Sequence, residues 1–143
     1  MEGSILKGGF VVFLLDTNIC IYLMKNTYPQ LTERLFSHDT SDMAISTITV
    51  YELEYGAAKS KWGDKTRQNM QLFLAPFTIV PFDATDAMIA GQIRKYLEQE
   101  GNPIGPYDLQ IASQAIARKM TVVTHNVDEF RRVPGIVLED WVV

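Results

Sequence analysis

Apolar residues change their spacing repeatedly along this chain, and each change predicts a different element. Residues 10 to 15, Phe-Val-Val-Phe-Leu-Leu, run without a polar break and stop at Asp16-Thr17-Asn18, residue types that cap helices and build turns. That predicts a strand buried on both faces, then a short helix over 19 to 25. Leu31, Leu35 and Phe36 share one helical face in the next segment. A second short strand falls at 43 to 46. Ser46, Thr47 and Thr49 supply candidate caps for a helix through Ala58, with Thr49-x-x-Glu52 offering one capping box and Lys59, Lys61 and Gly63 marking its end. Residues 65 to 74 pattern as a helix and 77 to 82 as a strand. Ala87, Ile89, Ala90, Ile93 and Leu97 repeat at helical spacing until Gly101 stops them. Pro106 opens a helix through Lys119 with Ile111, Ala112, Ala115 and Ile116 facing inward, and strands at 121 to 124 and 136 to 138 finish the chain.

Strands that alternate with helices, are continuously apolar and lack hairpin dipeptides predict an α/β fold, a parallel sheet covered by helices on both sides. At 143 residues the chain has the size of one ordinary domain around one core. No repeat, low-complexity tract or linker divides it, so the expected boundaries are a leader or disordered N-terminus over 1–9 and the folded domain over 10–143. The apolar run at 10 to 15 is far too short to span a bilayer, and the first nine positions do not read as a secretory signal. The single cysteine, Cys20, sits in an apolar segment and reads as buried filler, which with the missing signal makes the cytoplasm the expected setting and excludes a membrane protein. A net charge of −4 argues against broad attachment to nucleic acid through Lys and Arg. A protein that grips phosphate through a cation, by contrast, must carry its own carboxylates.

Polar residues just past a buried strand are the first candidates for chemistry, because sites in open parallel sheets form outside the carboxyl ends of the strands. Asp16 is such a residue, with Thr17 and Asn18 beside it as hydroxyl and amide; a plain helix cap explains it equally well. Glu52 lies in the helix after the second strand. Glu54 is two residues further on and points elsewhere, and periodicity alone does not say which of the two turns inward. Asp108 stands at the start of a late helix, where the dipole favours a carboxylate. These acids converge if the three elements meet at one sheet edge. Two carboxylates about 5 Å apart repel by roughly 3 kcal/mol at an effective dielectric near 20, so a counterion is required. Hard divalent cations take oxygen ligands. Zinc is disfavoured, because His38 and His125 form no cluster with zinc spacing.

At these residues the sequence resembles the PIN-domain family, and within it the VapC toxins. The resemblance is carried by Leu14-Leu15-Asp16-Thr17-Asn18, by Ile45-Ser46-x-Ile48-Thr49-Val50-x-Glu52-Leu53, by Ile104-Gly105-Pro106-Tyr107-Asp108-x-x-Ile111-Ala112, and by Thr124-His125-Asn126-Val127-x-Glu129-Phe130. It implies an α/β/α sandwich with a mainly parallel five-stranded sheet, Mg²⁺ or Mn²⁺ dependence, endonucleolytic cleavage of RNA and homodimers. It also implies a small VapB antitoxin as partner, and initiator tRNA as a first substrate to test. By position, Asp16, Glu52 and Asp108 match the acidic residues of the family, and Thr17 and Ser46 match supporting hydroxyls. The fourth position departs from the pattern: many PIN domains place an aspartate where this chain has Asn126, with Asp128 and Glu129 close behind.

For RNA contacts the sequence offers Lys59, Lys61, Lys65 and Arg67 around Trp62, and Arg94, Arg118, Arg131 and Arg132, each of which also reads as an ordinary solvated charge. Tyr22, Tyr51 and Tyr55 read as core or subunit contacts. Two rival functions are a phosphohydrolase of the haloacid-dehalogenase type, disfavoured because Asn18 stands where it needs a second acid, and a non-catalytic RNA- or partner-binding module with a weakened site.

Overall fold

The computed structural model describes residues 12–143, so the predicted leader over 1–9 and the first residues of the predicted strand lie outside the described residues. The central strand β1 (Phe13–Leu15) is flanked by β2 (Met43–Ser46) and β4 (Thr121–Val123), with β3 (Thr78–Val80) and β5 (Leu138–Glu139) at the edges. All four ladders are parallel, in the order β3-β2-β1-β4-β5. The expectation of a mainly parallel sheet under helices therefore holds.

Between the strands run α1 (Thr17–Lys25), α2 (Pro29–Phe36), α3 (Thr47–Lys59), α4 (Gly63–Leu74), α5 (Ala84–Gln99), α6 (Pro106–Arg118) and the single turn α7 (Val127–Phe130). Successive side chains of a strand point to opposite faces, and β1 divides accordingly. Phe13 and Leu15 pack with Ile19, Leu31, Leu53 and Met70 of α1 to α4, whereas Leu14 packs with Leu97, Leu109, Ala112 and Ala115 of α5 and α6. The single predicted core is thus two apolar layers on either side of a sheet buried on both faces, which explains why β1 and β2 show no polar alternation.

Several local readings change. Ser46 caps α3, its Oγ accepting from the Ile48 amide at 2.9 Å, so the alternative box starting at Thr49 is not used. Gly63 opens α4 instead of closing α3; a Cβ there would meet the Ala57 carbonyl oxygen at 3.0 Å, so the residue is small because two helices approach closely. Phe36 is exposed while Leu31 and Leu35 are buried. Cys20 is fully buried among apolar neighbours, and burial pushes its thiol up, as filler requires. Among the described residues no helix is long and apolar enough to cross a membrane.

Because every strand runs the same way, the residues after each strand end share one edge of the sheet. Asp16 follows β1, Thr124 follows β4 and Asp140 follows β5; the Asp16 amide donates to the Val123 carbonyl and the Thr124 amide to that of Glu139.

Candidate active site

Asp16 caps α1 and faces the site as well. Its Oδ1 accepts from the Ile19 amide at 2.8 Å, and the residue is 2% exposed. Burial pushes its carboxyl up to about 6; Glu52 and Asp140 add to the rise, while the Thr124 hydroxyl and the Ile19 amide oppose it.

Thr17 settles which glutamate of α3 turns inward. Its hydroxyl donates to Glu52 Oε1 at 2.6 Å, and since that proton is committed, the Thr49 hydroxyl 3.0 Å away donates to Thr17. Glu54 is taken instead by Arg67 of α4, through two bonds of 2.9 and 3.1 Å. The chain Thr49, Thr17, Glu52 ties α1 to α3 behind the carboxylate.

Asp108 sits half-buried in the first turn of α6, and burial pushes its carboxyl up to about 7, helped by Glu129 and then by Asp16 and Glu52. Glu129 moves the other way. Burial resists its ionisation, but the Gly105 amide at 2.9 Å, Asp108, the Asn126 amide at 3.1 Å and the charge of Arg132 outweigh it and hold it below the usual range.

The supporting residues divide. Asn126 donates from its side chain to Glu129 while its backbone N–H donates to the Thr124 hydroxyl at 2.9 Å, so it serves as a holder of Glu129. Asp128 is not brought to the site: its side chain is 96% exposed and lies 3.6 Å from Arg131, because α7 turns it outward. Asn18 faces solvent, and the buried Ser46 hydroxyl is occupied as the cap of α3. Thr49, Thr124 and Asp140 join the site without having been singled out for it. The Asp140 carboxylate accepts from His125 Nδ1 at 2.9 Å, so His125 has an acidic partner from a different strand end.

Of the proposed RNA-contacting cations, the arginines are committed elsewhere. Arg118 binds Asp83 and Asp86 at 3.3 and 3.0 Å, Arg67 binds Glu54, and Arg132 donates to the Pro103 carbonyl. Arg94 pairs with Glu98 at 3.1 Å on the outer face of α5. Lys59 and Lys61 lie over the rings of Tyr55 and Trp62, at 4.8 and 5.3 Å. Tyr51 and Tyr107, each the neighbour of a site acid, meet at the rim with hydroxyls 3.3 Å apart. That bond, with the nearby Tyr51 and Glu52 charges, raises the Tyr107 phenol.

Among the described residues, Asp16, Glu52, Asp108 and Glu129 have no Lys, Arg or His ion-pair partner. The donor set is oxygen throughout, which suits a hard cation and not a soft one. Nor do any three acidic, His or Cys side chains among the described residues close around a point tightly enough to cage an ion. A cation that takes one or two carboxylates and keeps several waters fits such an open arrangement.

The parallel sheet with acidic side chains at its C-terminal edge defines an α/β protein, and the family within that class follows from comparison. The PIN domain profile matches residues 13–136. The chain is 44% identical over 129 residues to the tRNA(fMet)-specific endonuclease VapC of Salmonella typhimurium, covering 90% of this chain and 97% of that one. It is 40% identical over 134 residues to Ribonuclease VapC2 of Rickettsia felis, covering 92% and 98%. DNA-bound VapBC from Salmonella typhimurium superposes with a TM-score of 0.87 at 44% identity, over 92% of this chain and 98% of that one. The chain belongs to the PIN-domain family, in its VapC branch.

Proposed function

We propose that this protein is a metal-dependent endoribonuclease, the toxin half of a VapBC-type pair, which cuts structured RNA and so inhibits translation, with initiator tRNA as its first candidate substrate. The observation that carries this reading is the uncompensated acid edge formed by Asp16, Glu52 and Asp108 in a chain 44% identical to a tRNA(fMet)-specific endonuclease.

Asp16, Glu52 and Asp108 are the residues to hold Mg²⁺ or Mn²⁺. When bound, such a cation supplies Lewis acidity toward the scissile phosphate and lowers the pKa of water. The chain's own work is positional. Thr17 and Thr49 fix the Glu52 carboxylate, the Ile19 amide fixes Asp16, and Gly105 and Asn126 keep Glu129 ionised beside Asp108. Glu129 thus supplies in the last motif the negative charge that Asn126 lacks, which weighs against a non-catalytic module.

A groove of about 430 Å³ between α1, α3 and α4 is lined by Ile21, Met24, Leu53, Ala57 and Met70, with Glu52 among its walls. It suits a VapB-type antitoxin segment that buries apolar side chains and points a basic one at the acids. A homodimer in the cytoplasm completes the reading.

The test is incubation of initiator tRNA with the purified, antitoxin-free protein in Mg²⁺ or Mn²⁺, and in EDTA. We expect discrete fragments with 5′-phosphate and 3′-hydroxyl ends that disappear in EDTA. Cleavage that survives EDTA, or 2′,3′-cyclic phosphate ends, contradicts a cation-assisted attack by water.

A further inference from the structure

Three of the exposed aromatics, Tyr51, Tyr55 and Tyr107, belong to the two helices that carry Glu52 and Asp108. On α3, Tyr51, Tyr55 and Lys59 recur at i, i+4 and i+8, so they form one stripe along the helix. Tyr51 is 55% and Tyr55 59% exposed, and the Lys59 ammonium lies over the Tyr55 ring. Tyr107 of α6 extends the stripe at its acid end: it is 39% exposed, its ring centroid is 5.5 Å from that of Tyr51, and the planes are tilted by 59°. The two rings do not stack face to face. The Tyr107 hydroxyl donates to that of Tyr51 at 3.3 Å, and Glu52 and Asp108 are the residues that follow each in sequence.

We propose that Tyr107, Tyr51 and Tyr55 form a stacking track for unpaired RNA bases that leads a single strand into the acid edge, with Lys59 taking a phosphate alongside. The inference rests on the ribonuclease reading and assigns to these side chains the approach of the substrate strand. Every base has a π-face, so aromatic rings interleaved with cations bind single strands with little sequence preference. Paired bases stacked in an A-form helix do not offer those faces, and its deep major groove keeps side chains out.

The placement distinguishes this track from a protein-binding surface. The apolar groove uses a different stripe of α3, namely Glu52, Leu53, Gly56, Ala57 and Ser60, so a peptide lying there leaves the tyrosines open. Subunit interfaces deplete Lys from their cores, whereas here an ammonium sits directly on the aromatic surface.

The probe is a short fluorescein-labelled single-stranded RNA of mixed sequence, alone and annealed to its complement, titrated with the Asp16→Asn protein and followed by anisotropy. We expect the single strand to bind more tightly than the duplex. Adding Tyr51→Ala or Tyr107→Ala should weaken single-strand binding roughly tenfold while duplex binding stays put. Tyr51→Phe and Tyr107→Phe, which keep the ring, should bind as the parent does. The track is overturned if the Ala variants bind the single strand like the parent, if the parent shows no preference for it, or if the Ala variants change the sedimentation coefficient, which marks a subunit contact. Failure of the ribonuclease reading is seen separately, as intact RNA after incubation of the unaltered protein with Mg²⁺.

Discussion

Two groups of acids stand at strand ends of the same sheet, and they have opposite fates. Beyond β3, Asp83 and Asp86 close a capping box on α5, and Arg118 reaches across from α6 to both, donating also to the Pro81 carbonyl. Asp86 is 1% exposed, and the Asp86 amide, with Arg118 nearby, holds the Asp83 carboxyl below its usual range. After β1 and at the start of α6, burial and mutual repulsion push Asp16 and Asp108 up, and among the described residues no guanidinium pairs with either. A buried acid that brings its own cation is a strut joining two helices. A cluster that lacks one is held in place by hydroxyls and amides, and its charge is left for something from outside the chain.

Substitutions that exchange the fates of these acids should separate the two groups, and the largest effect is expected at Asp16. Asp16→Asn should abolish RNA cleavage while leaving the circular dichroism spectrum intact, and should stabilise the metal-free protein by removing a charge that is buried without a partner. A variant that still cuts RNA removes Asp16 from the site.

Next in size is the strut. Arg118→Met leaves Asp86 buried without its cation and should cost about 3–5 kcal/mol in a denaturant titration. Cleavage per folded molecule should be retained, because no acid of the site touches Arg118. Loss of cleavage at full folding shows that the two regions are not independent.

The uncompensated acids also set a pH dependence. Asp16 and Asp108 have folded pKa values of about 6 and about 7, above the ordinary 3.8, so from about pH 4 to 7 the folded state binds more protons than the unfolded one. Stability of the metal-free protein should therefore fall as pH rises through that window, by about 3 kcal/mol from Asp16 alone. Mg²⁺ should restore it at pH 7.5 and do little at pH 5. Chemical denaturation of the unaltered protein and of Asp16→Asn in EDTA checks the sign, and equal slopes for the two contradict it.

The smallest effect is predicted at Thr17. Thr17→Val removes the donor to Glu52 and should weaken cation affinity roughly tenfold, as loss of an outer partner does. Thr17→Ser should keep most of it, which separates the hydroxyl from the methyl group.

The candidate site was legible where chain order and burial coincide. A continuous apolar run ending in Asp16 announces a central strand and its strand-end acid together, and Pro106 announces the helix start that places Asp108. Glu52 and Glu54 were not separable, because both are polar positions on one helix and the deciding partners, Thr17 and Arg67, come from other elements. Asp140 was missed because β5 has 2 residues, too few for a pattern, and α7 with 4 is too short to reveal that Glu129 turns in while Asp128 turns out. Gly63 looked like a stop signal, and only the approach of α4 to the Ala57 carbonyl gives its real reason.

If the acid edge is completed by a divalent cation from solution, Mn²⁺ titration followed by electron paramagnetic resonance reads it out. The unaltered protein should remove the free-ion signal saturably, Asp16→Asn should not, and Arg118→Met should do so as the parent does. Equal uptake by the unaltered protein and Asp16→Asn, or no uptake by either, contradicts it.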